Sequence, residues 1–420
     1  MADYQVIVIG AGAAGLIAAE RAASRGLKTI LLEKNRKPGV KILMSGGTRC
    51  NITRATDRRG IVAAYGTPGK FLYSALAALG PQELVDLIEG EGVPTNVEGT
   101  GKIFPVSNKA ADVLMAFLNR LHRSGCELVL EEPLSDFQSN SEPETNHQSF
   151  RLTTWRRTLT TGRVIITTGG QSYPRSGTTG DGYRWAASLG HTIVPPRPAL
   201  VPITTSAPWV RDLSGVTIPD VTVRLLEPNE NPSKPQLLDT RRGSLLFSHF
   251  GLSGPVILDI SRHVSGHPRP QLLHLECDFL PEIKTAELDS QLREHAARDG
   301  KKQIISLVPE QLPRRLVELL LAEAQLPADK KSGELSNSNR AALVRVLKQL
   351  PIPVTGTRGF AKAEVTAGGV SLDEVDSSTM QSKLVLGLYF AGEVLDLDGP
   401  IGGYNFQAAF STGWLAGMSV

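Results

Sequence analysis

The sequence predicts an α/β protein: a parallel-sheet domain assembled from two separated parts of the chain, interrupted by an inserted unit that is β-rich first and helical later. Three observations predict it. The apolar run "YQVIVI" ends in glycine and leads straight into strong helix formers. Two later apolar runs, "GRVIITTGG" and "LYFAGE", also end in glycine. Composition shifts twice, at "VPPRPALVPI" (194–203), with four prolines in ten residues, and again near "QLPIPVTG" (349–356). The two shifts read as the outward and return crossings of an insertion.

Taken in order, residues 4–33 form one strand–helix–strand unit. "YQVIVI" is a continuous apolar run, as expected of a strand buried on both faces of a parallel sheet. "AAGLIAAERAASR" is rich in helix formers and stops at Gly26, and "LKTILLE" is the second strand. Between 70 and 130 the pattern is mostly helical. Pro81 suits a first helical turn. Asn108 is the expected cap of a helix in which Val113, Leu114, Phe117, Leu118 and Leu121 share one face, stopped near Gly125. "CELVLEEPLSDF" and "SFRLTTW" read as strands around a variable polar stretch at 138–148. In the insertion, "VTVRLL" and "RGSLLFSHFGLSG" are β-like, whereas "EQLPRRLVELLLAEAQ" and "NRAALVRVLKQ" are helical. Polar stretches at 228–240 and 326–339 read as surface loops.

The chain has 420 residues, more than one ordinary domain core needs. A formal charge of +3 is mild for that length and gives no ground to expect nucleic acid. Cys50, Cys126 and Cys277 are odd in number and far apart, with no C-x-x-C pair, so neither a metal cage nor a disulfide framework is expected. Reduced cysteines, the absence of a cleavable leader pattern in "MADYQVIVIG" and the absence of a long apolar run make the cytoplasm the expected compartment, with no membrane partner.

Gly10-Ala11-Gly12-Ala13-Ala14-Gly15 satisfies G-x-G-x-x-G between a buried strand and a helix. Gly10 permits the tight turn, Gly12 admits a pyrophosphate to the backbone, and Gly15 allows close helix–strand packing. The helix N-terminus supplies free N–H groups and partial positive charge. Glu33 ends the second strand, where an acid binds ribose hydroxyls and disfavours a 2′-phosphate. FAD and NAD both remain open on this motif. Eight residues after Glu33 begins "KILMSGGTRCN", whose Gly46 and Gly47 bring backbone amides toward a second face of the ligand, with Arg49 as a fixed charge. "GTGK" at 99–102 fails as a P-loop, because Ile103 stands where Ser or Thr binds magnesium. Near the other end, "GGYNFQAAFSTGWLAG" reads as a glycine turn opening a helix, suited to the negative charge of a reduced flavin. Glu393 or Asp396 there can meet ribityl hydroxyls.

The blocks "VIGAGAAGL", "KILMSGGTRCNIT", "IFPVSNKAADVL", "TTGGQSYPRSGTTGDGY", "LLFSHFGLSGPVILDISR", "VTAGGV" and "TMQSKLVLGLYFAGEVLDLDGPIGGYNFQAAFSTG" run in order along nearly the whole chain. In these the chain resembles the aminoacetone-oxidase-like, or BaiN-like, family of FAD-dependent oxidoreductases. The resemblance implies a Rossmann-type FAD-binding domain, discontinuous in sequence, with an inserted β-barrel-like plus helical unit. On this reading 1–193 and 356–420 form the FAD domain, 194–280 with 340–355 the β-rich insert, and 281–339 its helical part. Carried over by motif, Gly10, Ala11, Gly12, Ala13, Ala14 and Gly15 bind the pyrophosphate, and Glu33 with Lys34 the adenosine end. Lys41, Ser45, Gly46, Gly47, Arg49 and Asn51 follow the flavin and phosphates, and Leu134 holds adenine through its backbone. Thr168, Gly169 and Gly170 make a second glycine crossing. Gly392, Glu393, Asp396, Gly402, Gly403, Tyr404, Asn405 and Phe406 close the site. Two positions depart: the family commonly has a third glycine where Thr48 stands and asparagine where Arg54 stands.

The implied reaction is hydride transfer from a small substrate, such as the amine aminoacetone, to flavin N5, with reoxidation by oxygen or another acceptor. The alternative is NAD(P)H-dependent reduction of an unsaturated substrate. No second G-x-G-x-x-G is present, so NAD(P)H enters only as a candidate transient reductant. A third reading, a low-turnover flavin redox sensor associated with RNA, draws on Arg54, Arg58 and Arg59. No catalytic base is assigned. Cys50, Tyr173 and His249 are the substrate-side candidates, and the absence of a G-x-S-x-G elbow removes a hydrolase built on Ser248, His249 and Ser253.

Overall fold

The computed structural model describes residues 2–142, 147–229, 231 and 234–420, and parts of the polar stretches at 138–148 and 228–240 lie outside them. The chain divides into two compact units, Met1–Arg197 with Glu364–Val420, and Pro198–Ala363.

The first unit is built on a five-stranded sheet in the order Leu388–Phe390, Val164–Ile166, Val6–Ile9, Thr29–Leu32, Glu127–Val129. All four pairings are parallel. Every residue of Val6–Ile9, Thr29–Leu32, Val164–Ile166 and Leu388–Phe390 is buried, which explains their unbroken apolar sequence. From Val6–Ile9 the sheet grows one way through Thr29–Leu32 and Glu127–Val129 and the other way through Val164–Ile166 and Leu388–Phe390, which leaves a switch point between Val6–Ile9 and Val164–Ile166. The first helix, Ala13–Ser24, ends as expected where Gly26 takes φ 85°. The last helix, Tyr404–Ser419, packs on it through glycines: a Cβ on Gly413 would lie 2.4 Å from the Ala14 carbonyl, and one on Gly417 would lie 2.5 Å from that of Ala18.

Three local expectations change. Asn108 does not cap the helix Ala110–Arg123, because Lys109 holds that position. Asn108 instead takes φ 55°, a left-handed turn that asparagine tolerates. The expected apolar face is real, with Val113, Leu114, Phe117 and Leu121 buried. The region read as mostly helical also contains a hairpin, Thr95–Val97 with Lys102–Pro105, whose second strand pairs with Thr53–Arg54. The polar strand Leu134–Glu142 runs on into the stretch expected to be loop, paired with His147–Thr154.

The second unit holds an antiparallel sheet ordered Leu350–Pro353, His274–Asp278, Thr217–Glu227, Gln236–Ser248, Gly251–Ser253, Ile203–Thr204, Gly356–Thr357. Its two edge strands are joined by residues 354–355 alone, so the sheet curls until its edges meet, as in a barrel. The helix Pro255–Gly266 packs on this sheet inside the segment expected to be β-rich. Residues 340–349 belong to the helix Asn337–Gln349, and only Leu350–Pro353 returns to the sheet. Residues 356–363, assigned from sequence to the FAD domain, belong to this unit, and 194–197 to the first.

Candidate functional site

Because the five strands of the first unit's main sheet are parallel, their C-terminal ends share one edge, and there the chain places Gly10, Glu33, Thr168 and Gly392. Gly10 takes φ 101°, and a Cβ on it would sit 2.8 Å from the Thr167 carbonyl. A Cβ on Gly15 would lie 1.8 Å from the Gly10 carbonyl, so Gly15 is required by packing. Gly12 is different. Its φ of −81° suits any residue, and a Cβ there would meet nothing within 4 Å. The protein itself gives no reason for glycine at this position. The first helix has no side-chain cap, so its first-turn N–H groups, those of Ala13, Ala14 and Gly15, are open donors. An uncapped helix facing space that a side chain would fill is the cradle a pyrophosphate needs. The fit to a dinucleotide is therefore visible in the protein alone.

Glu33 is 7% exposed. Its carboxylate accepts the Ala11 N–H at 2.8 Å on one oxygen and the Asn35 N–H at 2.8 Å on the other. The Ala11 amide is thus committed to fixing Glu33 and is not a free phosphate donor. Burial pushes the Glu33 carboxyl above its ordinary value, against the pull of these amides. Each oxygen keeps a lone pair for a ribose hydroxyl. Lys34 binds Asp181 at 2.6 Å. Leu134 lies two residues beyond Glu132, whose N–H donates to the Glu33 carbonyl at 3.0 Å. Thr168 Oγ1 is buried without a hydrogen-bond partner, a polar atom left over beside the switch point.

A polar network joins this edge to the helix after Glu33. Lys41 Nζ donates to Ser172 Oγ at 2.6 Å and to Glu393 Oε2 at 2.7 Å. Ser172 Oγ donates to Glu393 Oε1 at 2.6 Å, and the Thr366 N–H donates to the same oxygen at 2.9 Å. Thr366 Oγ1 in turn accepts the Gln171 and Ser172 amides. A Cβ on Gly170 would lie 2.3 Å from Thr366 Oγ1, which explains the glycine. Gly169 takes φ 69°. Sequence reasoning missed Ser172 and Thr366. Each stands two residues from a glycine in the blocks quoted above, Ser172 from Gly170 and Thr366 from Gly368, and a hydroxyl at that distance from a glycine was the available signal. The Asp396 N–H donates to the Val370 carbonyl at 3.0 Å.

The helix Val40–Thr48 breaks at Ser45, which is extended (ψ 153°), and Gly46 and Gly47 follow at φ 56° and 67°. A Cβ on Gly46 would press on the Phe104 ring at 2.8 Å, whereas one on Gly47 would meet nothing. Thr48 continues the left-handed run at φ 71°, strained for a β-branched residue and the reason a glycine suits the place. Ser45 Oγ donates to the Ile42 carbonyl at 3.0 Å. Arg49 does not stand free for a ligand: it pairs with Glu98 at 2.6 Å and lies 4.0 Å from the Phe104 ring centre. Cys50 is fully buried, and burial pushes its thiol up to about 12, so it is a neutral core group and not a nucleophile.

Asn51, with its amide turned to satisfy both neighbours, accepts the Gly403 N–H at 2.9 Å and donates to the Thr53 carbonyl at 3.0 Å. It clips the early turn to the late one. Gly402 and Gly403 take φ 125° and 97°, and a Cβ on Gly403 would lie 2.5 Å from the Thr53 carbonyl. The Tyr404 carbonyl accepts from Tyr65 Oη at 3.1 Å. Asn405 is turned inward, accepting the Gly399 N–H at 2.8 Å and donating to its carbonyl at 2.9 Å. Phe406 stacks on Phe410 at 6.0 Å. Asn405 thus fixes the turn, and Phe406 packs along the last helix; both are half-buried. Gly392 donates to Thr412 Oγ1 at 3.0 Å and approaches Ala14, where a Cβ would meet that methyl at 2.9 Å. Tyr173 is half-buried in a left-handed turn (φ 52°). His249 is an exposed residue of the second unit, edge-on to Phe250 at 5.0 Å.

The sequence matches the HI0933-like protein Rossmann domain over residues 4–419. The chain belongs to the HI0933-like family. It is 33% identical over 417 residues to the ribosomal RNA dihydrouridine synthase of Escherichia coli, covering 99% of this chain and 97% of that protein. The protein of the same name from Haemophilus influenzae is 32% identical over 425 residues, covering 100% and 99%. The 3-dehydro-bile acid delta(4,6)-reductase of Clostridium scindens is 30% identical over 419 residues, covering 98% of each. Membership of the family makes the chain an FAD-dependent oxidoreductase of the BaiN-like type. Among the described residues no helix is long and apolar enough to cross a membrane, and no group of three or more His, Cys, Asp or Glu is placed to hold a metal ion.

Proposed function

We propose that this protein is an FAD-dependent reductase of a polarised carbon–carbon double bond, with uracil rings of RNA as its substrate class and NAD(P)H as its reductant. The carrying observation is the uncapped first helix facing open space at Gly12, in a chain similar over its full length to two dihydrouridine synthases and a reductase. Dihydrouridine formation and ring reduction share one net change: a hydride and a proton are added across a double bond.

When bound, FAD supplies the hydride-carrying N5 centre. The residues divide the remaining work. The first-turn amides hold the pyrophosphate, and the Glu33 oxygens take ribose hydroxyls. Gly46 and Gly47 lay backbone against the flavin side. The Lys41–Ser172–Glu393 network uses two of the three Lys41 donors and keeps the third for a ligand. Amine oxidation with reoxidation by oxygen, the leading expectation from the family resemblance, takes second place because the full-length relatives bear the names of a synthase of dihydrouridine and of a reductase.

The test is anaerobic. FAD-loaded protein is mixed with NADH or NADPH, and the bleached protein is offered unmodified ribosomal RNA or an amine panel including aminoacetone. The proposal expects bleaching by a nicotinamide and a gain of two hydrogens on uridine by mass spectrometry. Bleaching by amines alone, with uridine unchanged, rejects it.

A further inference from the structure

Arg54 is half-buried, yet among the described residues its guanidinium makes no hydrogen bond and no ion pair. Its Cζ lies 5.5 Å from the Tyr404 ring centre. It passes over two glycines: a Cβ on Gly101 would stand 3.6 Å from Cζ, and one on Gly402 would stand 3.0 Å from Nη1. Glycine on both sides makes room for the fork, and Tyr404 gives it a face. Directly opposite Arg54 in the antiparallel pairing is Lys102, also half-buried and also without an acid partner.

Like charges placed opposite one another across a sheet destabilise it. The acids at hand do not relieve this pair. Glu98, the acid of the same hairpin, is taken by Arg49. Asp57 caps the helix Arg58–Tyr65 through the Gly60 N–H. Arg58, the next cation along, is neutralised by Glu83, so it drops out of the basic group read from sequence. Two uncompensated cations, one of them pre-positioned with its donors open, sit beside the glycine turn that opens the last helix. A local rule is broken without a gain inside the protein, which marks a functional position.

We propose that Arg54 and Lys102 anchor backbone phosphates of an RNA strand beside the Gly402–Tyr404 turn. The inference rests on the reading of RNA as substrate. A planar guanidinium matches two phosphate oxygens at once, and the ammonium adds a point charge to a neighbouring phosphate.

The test uses FAD-loaded full-length protein and a short fluorescein-labelled oligouridylate across a salt series. Arg54→Ala, Lys102→Ala, the double variant and Arg54→Lys are compared with wild type. Each neutralised cation is expected to make the slope of log K against log salt shallower by about 0.7, with Arg54→Lys restoring it. Flavin content and dithionite reduction are expected to stay at wild-type levels. Unchanged slopes, or no binding by wild type, overturn the anchor. Loss of flavin in step with binding also overturns it, because Arg54 then serves the phosphates of FAD. The two proposals fail separately. Wild type that binds the oligomer but leaves uracil unreduced removes the reductase reading and leaves the anchor. Full uracil reduction by the double variant removes the anchor alone.

Discussion

Replacing Gly12 by alanine separates a ligand glycine from a folding glycine. In the protein alone the new methyl meets nothing within 4 Å, and φ of −81° is open to any residue. Alanine loses about 0.5–1 kcal/mol as a helix N-cap relative to glycine. It recovers about 0.4–1 kcal/mol by restricting the unfolded chain. The two offset, and the apoprotein should keep its melting temperature. Toward FAD the methyl occupies the space the pyrophosphate needs, and at least one charge-assisted bond to a first-turn amide is lost. Such a bond contributes about 1.5–3 kcal/mol, which is about 10- to 150-fold in Kd. The assay is titration of apoprotein with FAD by flavin fluorescence, beside thermal unfolding of the apoprotein. Gly15→Ala is the contrasting control: its methyl would stand 1.8 Å from the Gly10 carbonyl, so the apoprotein itself should melt early. Gly12→Ala that binds FAD with wild-type affinity, or melts as early as Gly15→Ala, would refute the reasoning.

Other outcomes follow from the same geometry. Gly403→Ala places a left-handed alanine 2.5 Å from the Thr53 carbonyl; the conformation costs roughly 1–2 kcal/mol and the crowding about 1–3 kcal/mol, measurable by urea unfolding. Burial pushes the thiols of Cys50, Cys126 and Cys277 up to about 12. Ellman's reagent at mild pH should therefore leave Cys50 and Cys277, both fully buried, unlabelled until denaturant is added, whereas Cys126 is only half-buried; fast labelling of more than one thiol in the folded protein would contradict this. Burial holds the His191 imidazole below its ordinary value against the pull of Glu374, 3.2 Å away. As pH falls through the ordinary histidine value of about 6.5 the unfolded chain takes the proton first. Stability from this site is therefore whole above that pH and is lost as pH drops through the folded value. Glu374 acts in the same direction at lower pH: burial opposes it, but hydrogen bonds from Thr192 and the charge of His191 hold its carboxyl low. Melting temperatures measured from neutral to acid pH should fall less steeply in His191→Gln than in wild type.

Much of the first unit was legible because its signals are local. Four short apolar strands, each ending in glycine or an acid, state their own burial, and Gly10, Gly12 and Gly15 occur at the spacing the turn requires. What escaped notice depends on partners distant in sequence. Arg49 looks like a ligand's cation until Glu98, on a hairpin read as helix, takes its charge. The bond of Asn51 to Gly403, which comes from the far end of the chain, leaves no local trace either. Cys50 looks reactive beside an arginine, and only its complete burial makes it inert. In the insertion, residues 255–266 fell within the part read as β-rich because a short apolar run carries no period of its own. The chain turns at Gly254 (φ 90°) into a helix there.

The contact of Gly413 and Gly417 with Ala14 and Ala18 has a consequence for synthesis. The first helix leaves the ribosome with its partner, Tyr404–Ser419, about 390 residues further along and still untranslated, and the strand Leu388–Phe390 that completes the sheet is also unmade. At about 5–20 residues per second the wait is on the order of 20–80 s. Through that interval the apolar strand Val6–Ile9 lacks its full sheet, whereas Pro198–Ala363 carries every strand of its own sheet and is complete before Leu388–Phe390 and Tyr404–Ser419 are made. The middle of the chain is thus free to fold before either end, and the nascent N-terminal segment is the part a chaperone has most reason to shield.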